Sequence, residues 1–172
     1  MVLARWFLAL MLVLSLVAPS AAQTAAPKQA SPTGGQQAGK PSNPTEQVIA
    51  SLGKLKLEDV KKNAPGGVLA PYKPDPGTRL GNLRVETRYT EANGNTSYFF
   101  NRQGVLVSLV ATTTKPVTKD ELQRQIKGLE FNRYPPGTYA AFVKRGPKVV
   151  QGFYLDPEGK KVVATTFDYL GD

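Results

Sequence analysis

Two stretches of this chain share one pattern. Tyr98-Phe99-Phe100-Asn101-Arg102-Gln103-Gly104 is matched by Phe153-Tyr154-Leu155-Asp156-Pro157-Glu158-Gly159, and each is followed within a few residues by Val-Ala-Thr-Thr, at 110–113 and 163–166. Aromatic and β-branched side chains suit a pleated, half-buried surface. Asn or Asp closes a turn through its side chain, and Gly supplies the positive φ that ends it. The pattern therefore reads as strand, tight turn, strand, and its repetition predicts a duplicated supersecondary unit. It constrains architecture more than any single residue does, and it names no substrate.

The flanking sequence fills in the unit. Asn43-Pro44-Thr45-Glu46 is a helix start, with a capping residue, Pro at the first helical position and Glu at the third. Val48, Ile49 and Leu52 give an apolar face that Gly53 ends, and a second short helix is predicted over Leu57–Asn63, closed by Pro65-Gly66-Gly67. Residues 69–81 carry three prolines and two glycines and read as an extended loop. Leu83, Val85, Thr87 and Tyr89 alternate with Arg84, Glu86 and Arg88, as in a strand with one wet face. Asn93-Gly94 suggests a type I′ hairpin turn, leading into strands over 96–100 and 105–111. Thr118-Lys119-Asp120-Glu121 is a second capping box, followed by a helix to about Ile126 and strands over 139–143, 149–155 and 161–169. The expected fold is α+β: an antiparallel sheet of about six strands, built from two helix-plus-three-strand-meander repeats at 44–115 and 116–172, with the helices on one face. Phe100, Phe142, Phe153 and Phe167 are expected in its core.

The segment before this body has a different character. Arg5, an apolar run from Trp6 to Val17 and the small residues Pro19-Ser20-Ala21-Ala22 read as a cleavable signal peptide over 1–22. The apolar run is too short to span a bilayer. Residues 23–43 contain no Leu, Ile, Val or aromatic residue, so they cannot bury enough apolar surface to offset the entropy of ordering, and they read as a disordered linker. The expectation is an exported protein, periplasmic or secreted, with no membrane span after the signal is removed.

Chemistry is constrained mostly by what is missing. The chain has neither His nor Cys. That removes disulfides, thiolate nucleophiles, the commonest general base and the usual zinc, haem and copper ligands. No nucleophile elbow, phosphate-binding Gly loop or dinucleotide fingerprint is present. Glu58-Asp59 and Asp120-Glu121 sit at helix starts, where carboxylates favour the helix dipole. The sequence thus points away from an enzyme, a metal or a cofactor.

Lys and Arg number 22 against 13 Asp and Glu, for a net charge of +9, of which the signal carries a single Arg. That balance favours anionic partners such as nucleic acid or lipopolysaccharide. Arg84, Arg88, Lys144, Arg145, Lys148, Lys160 and Lys161 are the candidate ligand- or partner-binding residues. Arg84 and Arg88 are expected on one wet face, near Tyr98 or Tyr154. The other five flank two successive turns, at opposite ends of the strand between them, and the same charges would also keep sheet edges from pairing with other chains.

Leu57-Glu58-Asp59-Val60 and Tyr98-Phe99-Phe100-Asn101-Arg102-Gln103-Gly104-Val105-Leu106 resemble the helix and the hairpin of the small SmpA/BamE-type outer-membrane assembly lipoproteins. Two such units in tandem resemble the β-lactamase-inhibitor-like proteins. The chain lacks the lipid-bearing Cys of the first family and the disulfides of the second. The resemblance, over about residues 44–170, implies a non-enzymatic module for protein–protein interaction in the cell envelope. Binding of an anionic polymer is the alternative. A carboxylate-dependent hydrolase of envelope material is a third class, with no legible acid/base pair to support it.

Overall fold

The computed structural model describes residues 43–134 and 137–171. The expected signal peptide, and all of the expected linker except Asn43, lie outside them. Among the described residues no helix is long and apolar enough to cross a membrane.

The chain forms α1 (Pro44–Ser51), α2 (Leu57–Asn63), β1 (Val68–Pro71), α3 (Arg79–Asn82), β2 (Val85–Thr90), β3 (Thr96–Asn101) and β4 (Leu106–Thr118). It continues with α4 (Lys119–Gln125), β5 (Asn132–Tyr134), β6 (Thr138–Lys144), β7 (Val149–Leu155) and β8 (Lys161–Tyr169). All eight strands belong to one antiparallel sheet in the order β1-β2-β3-β4-β8-β7-β6-β5. Two four-strand meanders therefore lie side by side, with their last strands paired at the centre and their first strands at the two edges.

Eight strands replace the expected six. The additions, β1 and β5, are short edge strands beside proline-containing loops. Pro71 closes β1 at the sheet edge, where its missing N–H leaves no ladder bond broken. The boundary drawn at 115–116 falls within β4, which runs on to Thr118, the N-cap of α4.

The helix starts follow their caps. The Asn43 side chain accepts the Glu46 N–H at 2.8 Å. Thr118 Oγ1 accepts the Glu121 N–H, and the Glu121 carboxylate accepts the Thr118 N–H in return, both at 3.2 Å. Helix α1 buries Val48 and Leu52, and α2 buries Val60, against Tyr89, Tyr98, Phe100, Leu106, Leu109 and Phe167. Helix α4 buries Leu122 in a second cluster with Phe153, Leu155 and Val162 on the same sheet face. Between α1 and α2 the chain is stitched to the start of β4: the Gly53 N–H donates to Leu106 O at 2.8 Å, and the Leu106 N–H donates to Leu55 O at 2.8 Å.

The other face is not bare, contrary to the expectation of helices on one side only. The β1–β2 connection, residues 72–84 with α3 inside it, lies across the first meander. Its Tyr72, Leu80 and Leu83 cover Val85, Phe99 and Val107 in a third cluster.

Besides the β4–β8 irregularity between Thr112 and Val117, bulges in β2, β4 and β8 set which residue faces where. Glu86 is extra opposite the Val85–Thr87 step, so Val85 joins the third cluster while Tyr89 joins the first, and the expected single inner face of β2 does not form. Val107 and Val163 are extra at matching places. Phe100 pairs with Leu106 and Phe99 with Ser108, just as Leu155 pairs with Val162 and Tyr154 with Ala164.

The two turns also match. Gly104 N–H donates to Asn101 O and Gly159 N–H to Asp156 O, both at 2.9 Å, with φ of 67° and 70° at the glycines. The Glu91–Gly94 turn differs from the expected type I′. Gly94 has φ 72° but Asn93 has no positive φ, and its side chain instead accepts the Asn95 N–H at 2.8 Å.

Candidate functional site

The helix-free face of the second meander is the part of the sheet that the described residues leave uncovered. Residues on it follow from the pairing: Tyr134 opposite Thr138, Phe142 opposite Gly152, and Tyr154 opposite Ala140. Their rings form a row across β5, β6 and β7. Tyr134 and Phe142 meet edge to face at 5.7 Å and 89°, and Phe142 and Tyr154 at 6.0 Å and 88°. Such T-shaped pairs place the positive ring edge against the negative face and add to the value of area burial.

Gly152 makes the row possible. A Cβ there would come within 2.9 Å of the Phe142 ring and 2.6 Å of Thr166 Oγ1. The ring instead lies over a backbone with no side chain. Tyr134 is 44% exposed and Phe142 39%, so an apolar surface remains open to a partner. Phe142 is thus not a core residue, in contrast to Phe100, Phe153 and Phe167, which are buried as expected.

The row ends at an ion pair. Asp168, 2% exposed on β8, is paired with Arg79 of α3 and accepts the Ser108 hydroxyl at 2.6 Å. A buried carboxylate needs such partners, because its desolvation cost is otherwise uncompensated. Burial pushes the Tyr154 phenol above its ordinary pKa, and the Arg79 guanidinium pulls it partly back, which places Tyr154 in the field of this pair.

The candidate cations are spread over the molecule. Arg84 lies before β2, not on it, at a φ of 52° where α3 ends, so it does not share a strand face with Arg88. Arg88 places its guanidinium 5.8 Å from the Tyr72 ring centroid, and Tyr72 in turn meets Phe99 edge-on at 5.1 Å. Lys144 ends β6 beside Val150, on the open face near the aromatic row. The Arg145 Nε donates to Gln151 Oε1 at 2.7 Å, on the helix side. Lys148 precedes β7, Lys160 ends the β7–β8 turn and Lys161 opens β8, and the N–H groups of both donate to Asp156 Oδ1, at 2.7 and 3.2 Å. Tyr98 is not a surface residue. It is 1% exposed under the helices, and its hydroxyl donates to Glu91 at 2.7 Å.

The sequence pattern missed Phe142, Tyr134 and Arg79. The available signal was the Gly at 152, a β-position that only a close approach from across the strand explains. Among the described residues no group of His, Cys, Asp and Glu could hold a metal ion. Compared with family models, curated proteins and solved structures, the chain finds no match.

Proposed function

We propose that the protein is an exported, non-enzymatic binding module of the cell envelope, and that it grips a protein partner with the open face of its second meander. The observation that carries this reading is the exposed Tyr134–Phe142–Tyr154 row. Rigid aromatic side chains offer large contact area at low entropic cost and concentrate binding energy in protein interfaces. The same molecule supplies a model of the contact. On the first meander a polypeptide segment already lies on this face, inserting Tyr72, Leu80 and Leu83 against Phe99 and Val107. A partner of the same chemistry, a segment bearing Tyr and Leu side chains, fits the uncovered half.

We also propose that the two meanders arose by duplication. Matched turns, matched bulges and the central pairing support it. Ser108 pairs with Asp168 and Thr112 with Ala164, symmetrically about the Val110–Thr166 pair. The two Val-Ala-Thr-Thr runs are not the equivalent positions, because Val163 is a bulge residue while Val110 pairs within the ladder. Val163 matches Val107, and Thr166 matches Val110, so the run is displaced by three positions, more than the one extra residue of the second turn explains.

The scatter of Arg88, Lys144, Arg145, Lys148, Lys160 and Lys161 gives a polyanion no continuous track, which favours the protein partner over nucleic acid or lipopolysaccharide. A photo-crosslinking residue at position 142, compared with one at Val68, tests the reading in the native envelope. The expected result is a discrete protein adduct from position 142 only. It should be abolished by Tyr134→Asp and unchanged between low and physiological salt. Equal adducts from both positions, no adduct, or loss over that salt range, as phosphate-dominated binding shows, would overturn it.

A further inference from the structure

On the opposite side of the sheet, α1 and α4 pack into separate apolar clusters. Between them, over β4 and β8, lies a cavity of about 250 Å³. Val48 from α1, Leu122 from α4 and Phe153 from β7 give it an apolar part, and Glu91, Asn93, Asn95 and the 112–115 stretch of β4 give it polar lining. One end is built differently. Gln151, 4% exposed, and Thr165, 7% exposed, line it together with Arg145. Both are polar residues held where the sheet is otherwise filled by Phe153, Phe167 and Val149. The Thr165 hydroxyl is buried and has no hydrogen-bond partner among the described residues. Gln151 Oε1 accepts from Arg145 Nε, which leaves the Gln151 amide nitrogen and the outer guanidinium nitrogens as donors.

A buried hydroxyl without a partner and a buried amide oriented by an arginine are costly to keep in an apolar cluster. Buried polar groups converging beside an apolar surface in a concave site are a usual feature of small-molecule binding, and here the buried ones are Gln151 and Thr165. The donors at this end complement an oxygen anion, and a planar guanidinium suits a carboxylate in particular. Elsewhere on the lining Glu91 is a carboxylate already engaged, accepting from the Tyr98 hydroxyl at 2.7 Å and from the Asn93 amide at 3.3 Å. Lys115 is the other lining cation, but Arg145 is the one that stands beside the buried Gln151, so the anion is assigned to the Arg145 end. An engineered cavity of about 150 Å³ holds benzene. By that scale this one takes about ten non-hydrogen atoms.

We propose that the cavity between α1 and α4 binds a small monocarboxylate with an apolar body, its carboxylate at Arg145, Gln151 and Thr165 and its body against Val48, Leu122 and Phe153. The site is separate from the aromatic row and does not depend on the protein-partner reading.

Titration calorimetry with the series hexanoate to decanoate, each beside the alcohol of equal chain length, tests it on the purified protein. At least one acid should bind, and its alcohol should bind at least tenfold more weakly. Arg145→Met should weaken the acid at least tenfold and leave the alcohol unchanged. Thr165→Val should weaken acid binding while raising the melting temperature, because it removes a buried hydroxyl that the fold itself does not use. That variant separates a ligand role from a structural one. Binding by no acid of the series, equal affinity for acid and alcohol, or undiminished acid binding in Arg145→Met would overturn the proposal.

Discussion

The two meanders take the same sheet face to different ends. In the first, the connection between its opening strands is long, residues 72–84, and it folds back over the face. In the second, only residues 135–137 separate β5 from β6, and among the described residues Tyr134 and Phe142 are exposed on that face. Phe99 and Tyr154 hold matching positions, each opposite the residue after a bulge. Phe99 is buried with Tyr72 of the covering segment edge-on to it, whereas Tyr154 receives Phe142 from the neighbouring strand and stays partly open. The lesson is that a strand residue on this face is buried or left open according to what the chain packs over it elsewhere. Its own side chain decides little.

The largest test of that comparison is within one strand pair. Phe153 is 3% exposed under α4, and Phe142 is 39% exposed on the far face of the adjacent strand. Truncating a buried Phe to Ala costs about 3–5 kcal/mol through lost transfer energy and the cavity left behind. Phe153→Ala should cost about that much in urea unfolding. Phe142→Ala should cost less than about 1 kcal/mol, as expected away from the core, while abolishing the crosslink-detected complex. Equal stability losses would mean that the open face is core after all.

A smaller effect is expected where the covered half is fastened to the open one. Arg79 reaches from α3 across to Asp168 on β8, so one ion pair holds the 72–84 segment over the sheet. Arg79→Met keeps the aliphatic stem but leaves a carboxylate that is 2% exposed with only Ser108 as partner. Breaking one side of a buried pair costs about 3–5 kcal/mol, and the partial exposure of Arg79 lowers the expectation to about 2–3 kcal/mol. Adding Asp168→Asn should recover part of it, because the stranded charge is then gone. If Arg79→Met were neutral, the apolar contacts of Tyr72, Leu80 and Leu83 alone would hold the segment, and the two halves would be less coupled than described.

The same contrast explains what the sequence could reveal. Caps and glycine turns are local chemistry, so Asn43, Thr118, Gly104 and Gly159 mark their elements directly. The edge strands β1 and β5 exist through pairing with residues far along the chain, and their own short, proline-flanked sequences read as loop. The bulges at Glu86, Val107 and Val163 each shift the alternation by one, which flips every later side chain to the other face. In Tyr139-Ala140-Ala141-Phe142-Val143 apolar residues occupy both faces, so period two cannot say which face is covered. The cavity is further from view. Its walls come from α1, α4, β7 and β8, and Gln151 and Thr165 look like ordinary strand residues until the fold aligns them.

The smallest predicted effect falls on the two matched turns, one closed by an amide and the other, one residue longer, by a carboxylate. Asn101 Oδ1 accepts the N–H groups of Gln103 and Val105, and Asp156 Oδ1 accepts those of Lys160 and Lys161. Only the second titrates. The Lys160 N–H, with help from Lys161, holds the Asp156 carboxyl below its ordinary pKa. For a lowered carboxyl the stabilisation is present above the unfolded value of about 3.9 and is lost as pH falls through the folded one. Between about pH 6 and about pH 2, hydrogen-exchange protection at Lys160 and Lys161, corrected for intrinsic rates, should therefore fall relative to that at Gln103 and Val105. The Glu121 cap, lowered in the same sense by the Thr118 N–H, should loosen with it. Asp156→Asn gives the second turn the amide of the first and should equalise the two hairpins across the pH range. If the first turn lost protection as readily as the second, the carboxylate would not be the source of the difference, and the asymmetry of the halves would stop at their open and covered faces.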